Sequence, residues 1–182
     1  MHGPQETVAL TRDVIGTLIP AGTKVELPEG ASATVTQALG GSFTVIVQGH
    51  MFRIEGRDAD ALGREIATGP QVAADASDAE LEKAVWDQLH TCFDPEIPVD
   101  IVELGLVYES KLEPLPDGNR KAVIRMTLTA PGCGMGDILV ADVRDKVLQI
   151  PKIAEADVQL VFDPPWTRDM MSEAARLQVG MY

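Results

Sequence analysis

Cysteine, the side chain best suited to covalent and soft-metal chemistry, occurs only at Cys92 and Cys133 in 182 residues. Cys133 lies in Ala130-Pro131-Gly132-Cys133-Gly134-Met135-Gly136, preceded by strand-type sequence and followed by helix-type sequence. Glycines at 132, 134 and 136 let the backbone turn tightly and leave the sulfur without bulky neighbours. A helix N-terminus presents unsatisfied N–H groups and positive potential, which favour the thiolate over the thiol. The thiolate is the form that attacks electrophiles and binds metals. The bland alternative is an inert cysteine buried beside a glycine turn, and the lack of bulk on either side weighs against it. The Gly-x-Gly-x-Gly run can also cradle a phosphate. It lacks the Gly-x-Gly-x-x-Gly spacing and any following Gly-Lys-Ser/Thr, so that signal is weak.

Cys92 stands in His90-Thr91-Cys92-Phe93-Asp94 at a helix end. His90, Cys92, Asp94 and Glu96 make a compact set of potential ligands, but no Cys-x-x-Cys or His-x-x-x-His spacing accompanies them. A cysteine that simply closes the helix fits equally well. Iron–sulfur clusters usually take four thiolates. One chain offers Cys133 and Cys92 alone, so a cluster would be shared between chains or completed by other ligands. Asp94, Glu96, Asp100 and Glu103 place four carboxylates in ten residues, and Pro95 and Pro98 hold that stretch extended. Asp94 ahead of Pro95 suits a turn in which its side chain accepts backbone N–H groups, and this structural role is the favoured one. A carboxylate pair beside a thiolate can also bind a hard cation or orient a proton. His2 and His50 fall in a tail and a turn. Trp166, after Pro164-Pro165, suits a core or an interface better than catalysis.

The elements that must position these residues fall into two groups. Residues 7–55 carry short β-type stretches at Thr7–Leu10, Thr34–Thr36, Phe43–Val47 and Met51–Ile54, separated by glycine and proline turns. Four or five strands in so short a span predict a small barrel or meander. Composition then changes around Gly69-Pro70. The expected organisation is an all-β domain over 1–68, a linker over 69–76 and an α/β domain over 77–182. Ser77 and Glu80 form a capping box, and Leu81, Val85 and Leu89 give one apolar stripe. Strands are expected over 104–113 and 120–129, where Ala122, Ile124, Met126 and Leu128 alternate with Lys121, Val123, Arg125 and Thr127. A helix over 137–150, a strand through Val158, Leu160 and Phe162, and a last helix capped by Thr167 complete the order α-β-β-α-β-α. That last helix would carry Met170, Met171, Ala174 and Leu177 and stop at Gly180. The expected class is α+β, with a small mixed sheet covered by helices.

Composition narrows the function classes. Hydrophobic residues make up 45%, enough for a core, and no window reaches the roughly 18 apolar residues of a membrane span. The N-terminus has no basic stretch leading into an apolar one, so a cytoplasmic protein is expected. Net charge is -13. Residues 71–182 hold 20 of the 28 acids and 10 of the 15 bases, so most of the excess lies in the second half. No cluster of Lys and Arg opposes it, which argues against a nucleic-acid partner.

Three ordered stretches resemble the metal–sulfur cluster biosynthesis family, which includes cytosolic iron–sulfur targeting factors and phenylacetate-oxygenase maturation factors. They are Asp94-Pro95-Glu96-Ile97-Pro98 with Asp100 through Tyr108, Thr129 through Met135, and Phe162-Asp163-Pro164-Pro165-Trp166 followed by Met171-Ser172-Glu173-Ala174. Leu39–Val45 and Arg53–Gly63 resemble an N-terminal extension carried by one branch of that family. The resemblance implies an accessory factor that is not an enzyme and that delivers iron or a transient iron–sulfur cluster. Its expected partners are the iron–sulfur assembly machinery and client apoproteins. It implies Cys133 as the functional thiol, with Asp94 and Glu96 close by and Thr129, Gly132, Gly134 and Met135 in support. A homodimer would bring two Cys133 loops to a common space, with Cys92 as a further ligand. The alternatives are a thiol-dependent redox or transfer enzyme and an interaction module whose working part is the β unit.

Overall fold

In the computed structural model, which describes residues 5–39, 41–66, 69–94, 97–130 and 136–180, the chain divides into two units, Met1–Thr68 and Gly69–Tyr182. The class is α+β.

In the first unit β1 (Glu6–Ala9), β2 (Val14–Leu18), β3 (Lys24–Leu27), β4 (Ser32–Leu39), β5 (Ser42–Val47) and β6 (His50–Ile54) form one antiparallel sheet, ordered β1-β4-β5-β6-β2-β3. Alternation decides the faces: Ala33, Val35, Val45, Val47, Phe52 and Ile54 are buried in one core with Leu10, Val14 and Leu27. β4, β5 and β6 are the expected meander. The barrel is not realised, because among the described residues no pairing joins β1 to β3. The core is instead capped by a 3-10 helix, Gly56–Leu62, which buries Ala59, Ala61 and Leu62. Arg12 holds that helix, donating to Asp60 at 2.8 Å and to Asp58 at 2.9 Å. The sheet has six strands where four or five were expected. β2 is hard to read because Gly16 interrupts it, and the glycine has a packing reason. A Cβ there would lie 2.9 Å from Leu27 Cδ1 and 3.2 Å from Phe52 Cβ.

The second unit runs α1 (Asp78–Leu89), β7 (Val107–Pro114), β8 (Arg120–Met126), α2 (Gly136–Leu148), β9 (Ile153–Leu160), a 3-10 turn (Arg168–Met170) and α3 (Glu173–Gln178). The sheet is ordered β7-β8-β9, antiparallel between β7 and β8 and parallel between β8 and β9, with α2 as the crossover. Ala122, Ile124 and Met126 pack with Leu81, Val85 and Leu89 of α1 and Leu139, Val143 and Val147 of α2. Residues 69–76 form no helix or strand, yet Val72 and Ala76 pack on this same core.

Several expected boundaries shift: the strand expected from 104 begins at Val107, because 101–105 forms a turn, and the one expected to reach 129 ends at Met126. β9 begins at Ile153 and ends at Leu160, so Phe162 lies beyond it and is 49% exposed. Thr167 makes no side-chain cap and leads only into the 3-10 turn. Met171 then returns to extended backbone, and Ser172 caps α3 by accepting from the Ala175 N–H at 3.1 Å. The later start changes the phase of the helix, so Ala175 is buried and Leu177 is exposed. Gly180, at φ +74°, follows the helix end as expected.

Candidate functional site

α1 delivers the chain to Cys92. The thiol is fully buried in the core, donates to the Gln88 carbonyl at 3.6 Å and is not in a disulfide. This places Cys92 where helix closure and packing use it. Two residues on, Asp94 is 9% exposed and its Oδ1 accepts from the Ile97 N–H at 3.2 Å. The side chain thus accepts a backbone N–H three residues on, the role its position before a proline suggests. The chain then doubles back, with Asp100 bridging Phe93 and the Ile101 N–H donating to the Cys92 carbonyl at 2.9 Å. Asp100 Oδ1 accepts from the N–H groups of Val102 and Glu103, at 2.9 and 3.0 Å, and lies 3.2 Å from His90 Nδ1. Asp100 therefore shapes a turn, and Gly105 completes it at φ +74°.

This opening motif is bound to the closing motif and to the end of β8 that precedes the cysteine motif. The Leu106 carbonyl accepts from the Thr127 N–H at 2.8 Å, joining it to the strand end from which the cysteine loop departs. Met126, one residue earlier, accepts from the Val161 N–H at 2.8 Å, where the closing motif departs from β9. Trp166 Nε1 donates to the Leu104 carbonyl at 2.7 Å. The Tyr108 hydroxyl donates to the Pro164 carbonyl at 2.8 Å and meets Met170 Sδ at 3.6 Å. Ser172 donates its N–H to the Glu103 carbonyl at 2.8 Å and its hydroxyl to the Glu103 carboxylate. Gly105 is pressed so closely on the closing segment that a Cβ would stand 2.3 Å from the Met170 carbonyl oxygen.

Every one of these ties lies at the end of the sheet where the parallel strands β8 and β9 finish. α2 starts at the same end, because a Cβ on Gly136 would lie 2.7 Å from Leu128 Cδ1 and 3.8 Å from Leu160 Cδ1. In open sheets with parallel strands and helical crossovers, ligands are taken at this carboxyl end. In sequence, residues 131–135 run from Ala130, four residues past the end of β8, to Gly136, the first residue of α2.

Of the residues singled out by sequence, Asp94, Cys92 and Thr129 are described, with Thr129 half-buried. Cys133, Gly132, Gly134, Met135 and Glu96 lie outside the described residues, and so does the expected approach of Asp94 or Glu96 to the Cys133 sulfur. Among the described residues no three His, Cys, Asp or Glu side chains gather as metal ligands. Sequence reasoning quoted Glu103, Tyr108 and Ser172 as motif members without a role, and placed Trp166 in a core or interface. Their shared function as ties between motifs has no local signal, since the partners stand 56 to 69 positions apart.

Residues 82–179 match the family model described as iron-sulfur cluster assembly protein. The chain is 40% identical over 101 residues to the Fe-S protein maturation auxiliary factor of Porphyromonas gingivalis, an alignment covering 56% of this chain and 92% of that one. It is 41% identical over 88 residues to the Fe-S protein maturation auxiliary factor SufT of Staphylococcus aureus, covering 48% and 96%. Among solved structures, a DUF59 domain from Bacillus anthracis is 38% identical and superposes with a TM-score of 0.50, covering 58% of this chain and 96% of that one.

Proposed function

The chain belongs to the iron–sulfur cluster assembly protein family, and from that premise we propose that it is a SufT-type accessory factor in iron–sulfur cluster maturation. It is a carrier rather than an enzyme, and it hands iron or a transient cluster to client apoproteins through the Cys133 thiol. The observation that supports this reading is that the opening and closing motifs meet at the end of the β7-β8-β9 sheet from which the chain runs on to the cysteine motif.

The chemistry follows from that placement. A thiolate between a strand end and the start of a 13-residue helix stands where backbone N–H groups favour the anion, which is the form that ligates iron. One such thiolate per chain holds a cluster loosely unless other thiolates join, as a donor that must release its cargo requires. A homodimer sharing cargo between two Cys133 loops meets that need, with Asp94 and Glu96 as bordering carboxylates and Thr129, Gly132, Gly134 and Met135 shaping the loop. We place the protein in the cytoplasm, where thiols stay reduced. No described helix is long and apolar enough to cross a membrane. The SufT-named relative aligns over 88 residues, 96% of its own length and 48% of this chain, so the SufT reading is supported by that half of the chain.

The test is anaerobic loading with iron and sulfide, then transfer to an apo-ferredoxin followed by absorption spectroscopy and iron counting. Wild type and Cys92→Ala are expected to transfer, and Cys133→Ser to lose at least tenfold in rate. Undiminished transfer by Cys133→Ser would remove the thiol from the mechanism.

A further inference from the structure

A sheet edge presents a row of backbone N–H and C=O groups that can pair with another chain. The two sheets have four edges among the described residues, and they differ. β1 and β3, at the edges of the first sheet, are four residues long apiece. β7 is eight residues long, carries Lys111 at its middle and ends in Pro114, both of which discourage pairing. β9, Ile153–Leu160, is as long as β7 and holds no Lys, Arg or Pro. Its charged residues are Glu155 and Asp157, and Ala154, Glu155 and Gln159 are exposed.

The register with β8 fixes what each face of this edge shows. Glu155, Asp157 and Gln159 lie level with Lys121, Val123 and Arg125, on the face away from the core. Ala156, Val158 and Leu160 lie level with Ala122, Ile124 and Met126 on the core face, where Ala156 and Leu160 are only half-buried. A second copy of the chain is a poor occupant. Directly opposed residues of an antiparallel pair share a face, so the two registers that overlap β9 most fully on itself set Glu155 opposite Asp157, or Asp157 opposite Asp157. Like charges so placed are destabilising. The edge fits instead an extended segment with Lys or Arg at every second position and aliphatic residues between. The bases meet Glu155 and Asp157, and the aliphatic residues extend the row of Ala156, Val158 and Leu160. The 20 acids against 10 bases in residues 71–182 attract the same partner at longer range. Just past β9 the Val161 N–H donates to the Met126 carbonyl at 2.8 Å. A segment laid along β9 therefore reaches the sheet end where the opening and closing motifs are tied.

We propose that the free edge of β9 is the docking site for an extended segment of a client apoprotein, alternately basic and aliphatic, which adds to the β7-β8-β9 sheet as a fourth strand. This rests on the reading of the chain as a carrier.

The probe is a capped octapeptide alternating lysine and valine, added to the full chain and followed by residue-resolved hydrogen exchange. Exchange of β9 amides is expected to slow by about tenfold or more, with the rest of the chain little changed. The same peptide N-methylated at every residue keeps its charge but cannot donate, and is expected to bind about tenfold more weakly or worse. Glu155→Gln with Asp157→Asn is expected to weaken the unmethylated peptide by about fivefold. Saturating peptide is expected to suppress transfer from the loaded chain to apo-ferredoxin. Equal binding by the N-methylated peptide marks adsorption to an acidic surface and overturns the proposal. So does protection outside β9, or a peptide that covers β9 and leaves transfer at full rate. Protection of β9 that grows with protein concentration in the absence of peptide makes a second copy the occupant and overturns it too. If the loaded wild type transfers nothing, the carrier reading falls on that observation alone, and the client falls as occupant whatever the peptide does at β9.

Discussion

At Gly105 a single hydrogen atom in place of a side chain lets two motifs touch. Its φ of +74° is one that L side chains rarely adopt, and a Cβ would meet the Met170 carbonyl oxygen at 2.3 Å. Gly118 has a similar φ of +86° but open space where its Cβ would be. The pair separates strain from collision. Gly118→Ala is expected to lower stability by about 1 kcal/mol from the left-handed backbone alone. Gly105→Ala is expected to lower it by about 3 kcal/mol or more, because overpacking adds to the same strain. Urea unfolding with an unchanged m-value checks both. Trp166 carries a comparable test. Trp166→Phe keeps most of the ring but leaves the Leu104 carbonyl without its 2.7 Å donor, and a loss of roughly 1–2 kcal/mol is expected.

At the scale of elements, α1 is started by the Ser77–Glu80 capping box and is joined to α2 near its end. The Glu80 carboxylate is held below its usual range first by the Ser77 N–H and then by the Ser77 hydroxyl. A carboxylate whose folded pKa is depressed contributes stability above its unfolded pKa, near about 4.3. That contribution is lost as pH falls through the lower folded value. The melting temperature is therefore expected to fall more steeply below about pH 4.3 in wild type than in Glu80→Gln, which has nothing to protonate there. Parallel slopes would show that the cap is unlinked to pH. Farther along, Lys146 Nζ donates to the Thr91 carbonyl at 2.5 Å and sits 3.3 Å from the buried Asp142. Lys146→Met removes the ammonium that faces the buried Asp142 carboxylate and is expected to cost about 1–3 kcal/mol. Asp142→Leu with Lys146→Met is expected to recover part of that, because both members of the buried charge pair are then replaced.

At the scale of the whole molecule, each unit has its own core. The alignments span 92% and 96% of two relatives while covering about half of this chain. A fragment of residues 69–182 is accordingly expected to unfold in one cooperative transition, checked by circular dichroism against denaturant. Assembly is the second question. Sharing of cargo between two Cys133 loops predicts a dimer on light scattering after anaerobic loading. A monomer before and after loading, with one iron or fewer per chain, would leave Cys133 a transient relay without a shared cluster.

What the chain determines by itself is whatever acts over a few residues. The capping box at Ser77, the stripe of Leu81, Val85 and Leu89, the alternation along β8 and the Asp94 turn are all legible, because their partners stand two to four positions away. The glycine-flanked address of Cys133 is legible for the same reason. Tertiary structure decides what depends on distant partners. Whether the first sheet closes into a barrel turns on β1 meeting β3, strands separated by the whole order of the sheet, and the 3-10 helix at Gly56–Leu62 covers the core instead. Why position 16 must be glycine depends on Leu27 and Phe52 across the sheet. That Trp166 serves Leu104 and Ser172 serves Glu103 appears only once the opening and closing stretches meet at one sheet end, since each is a relation between residues that no local pattern encodes.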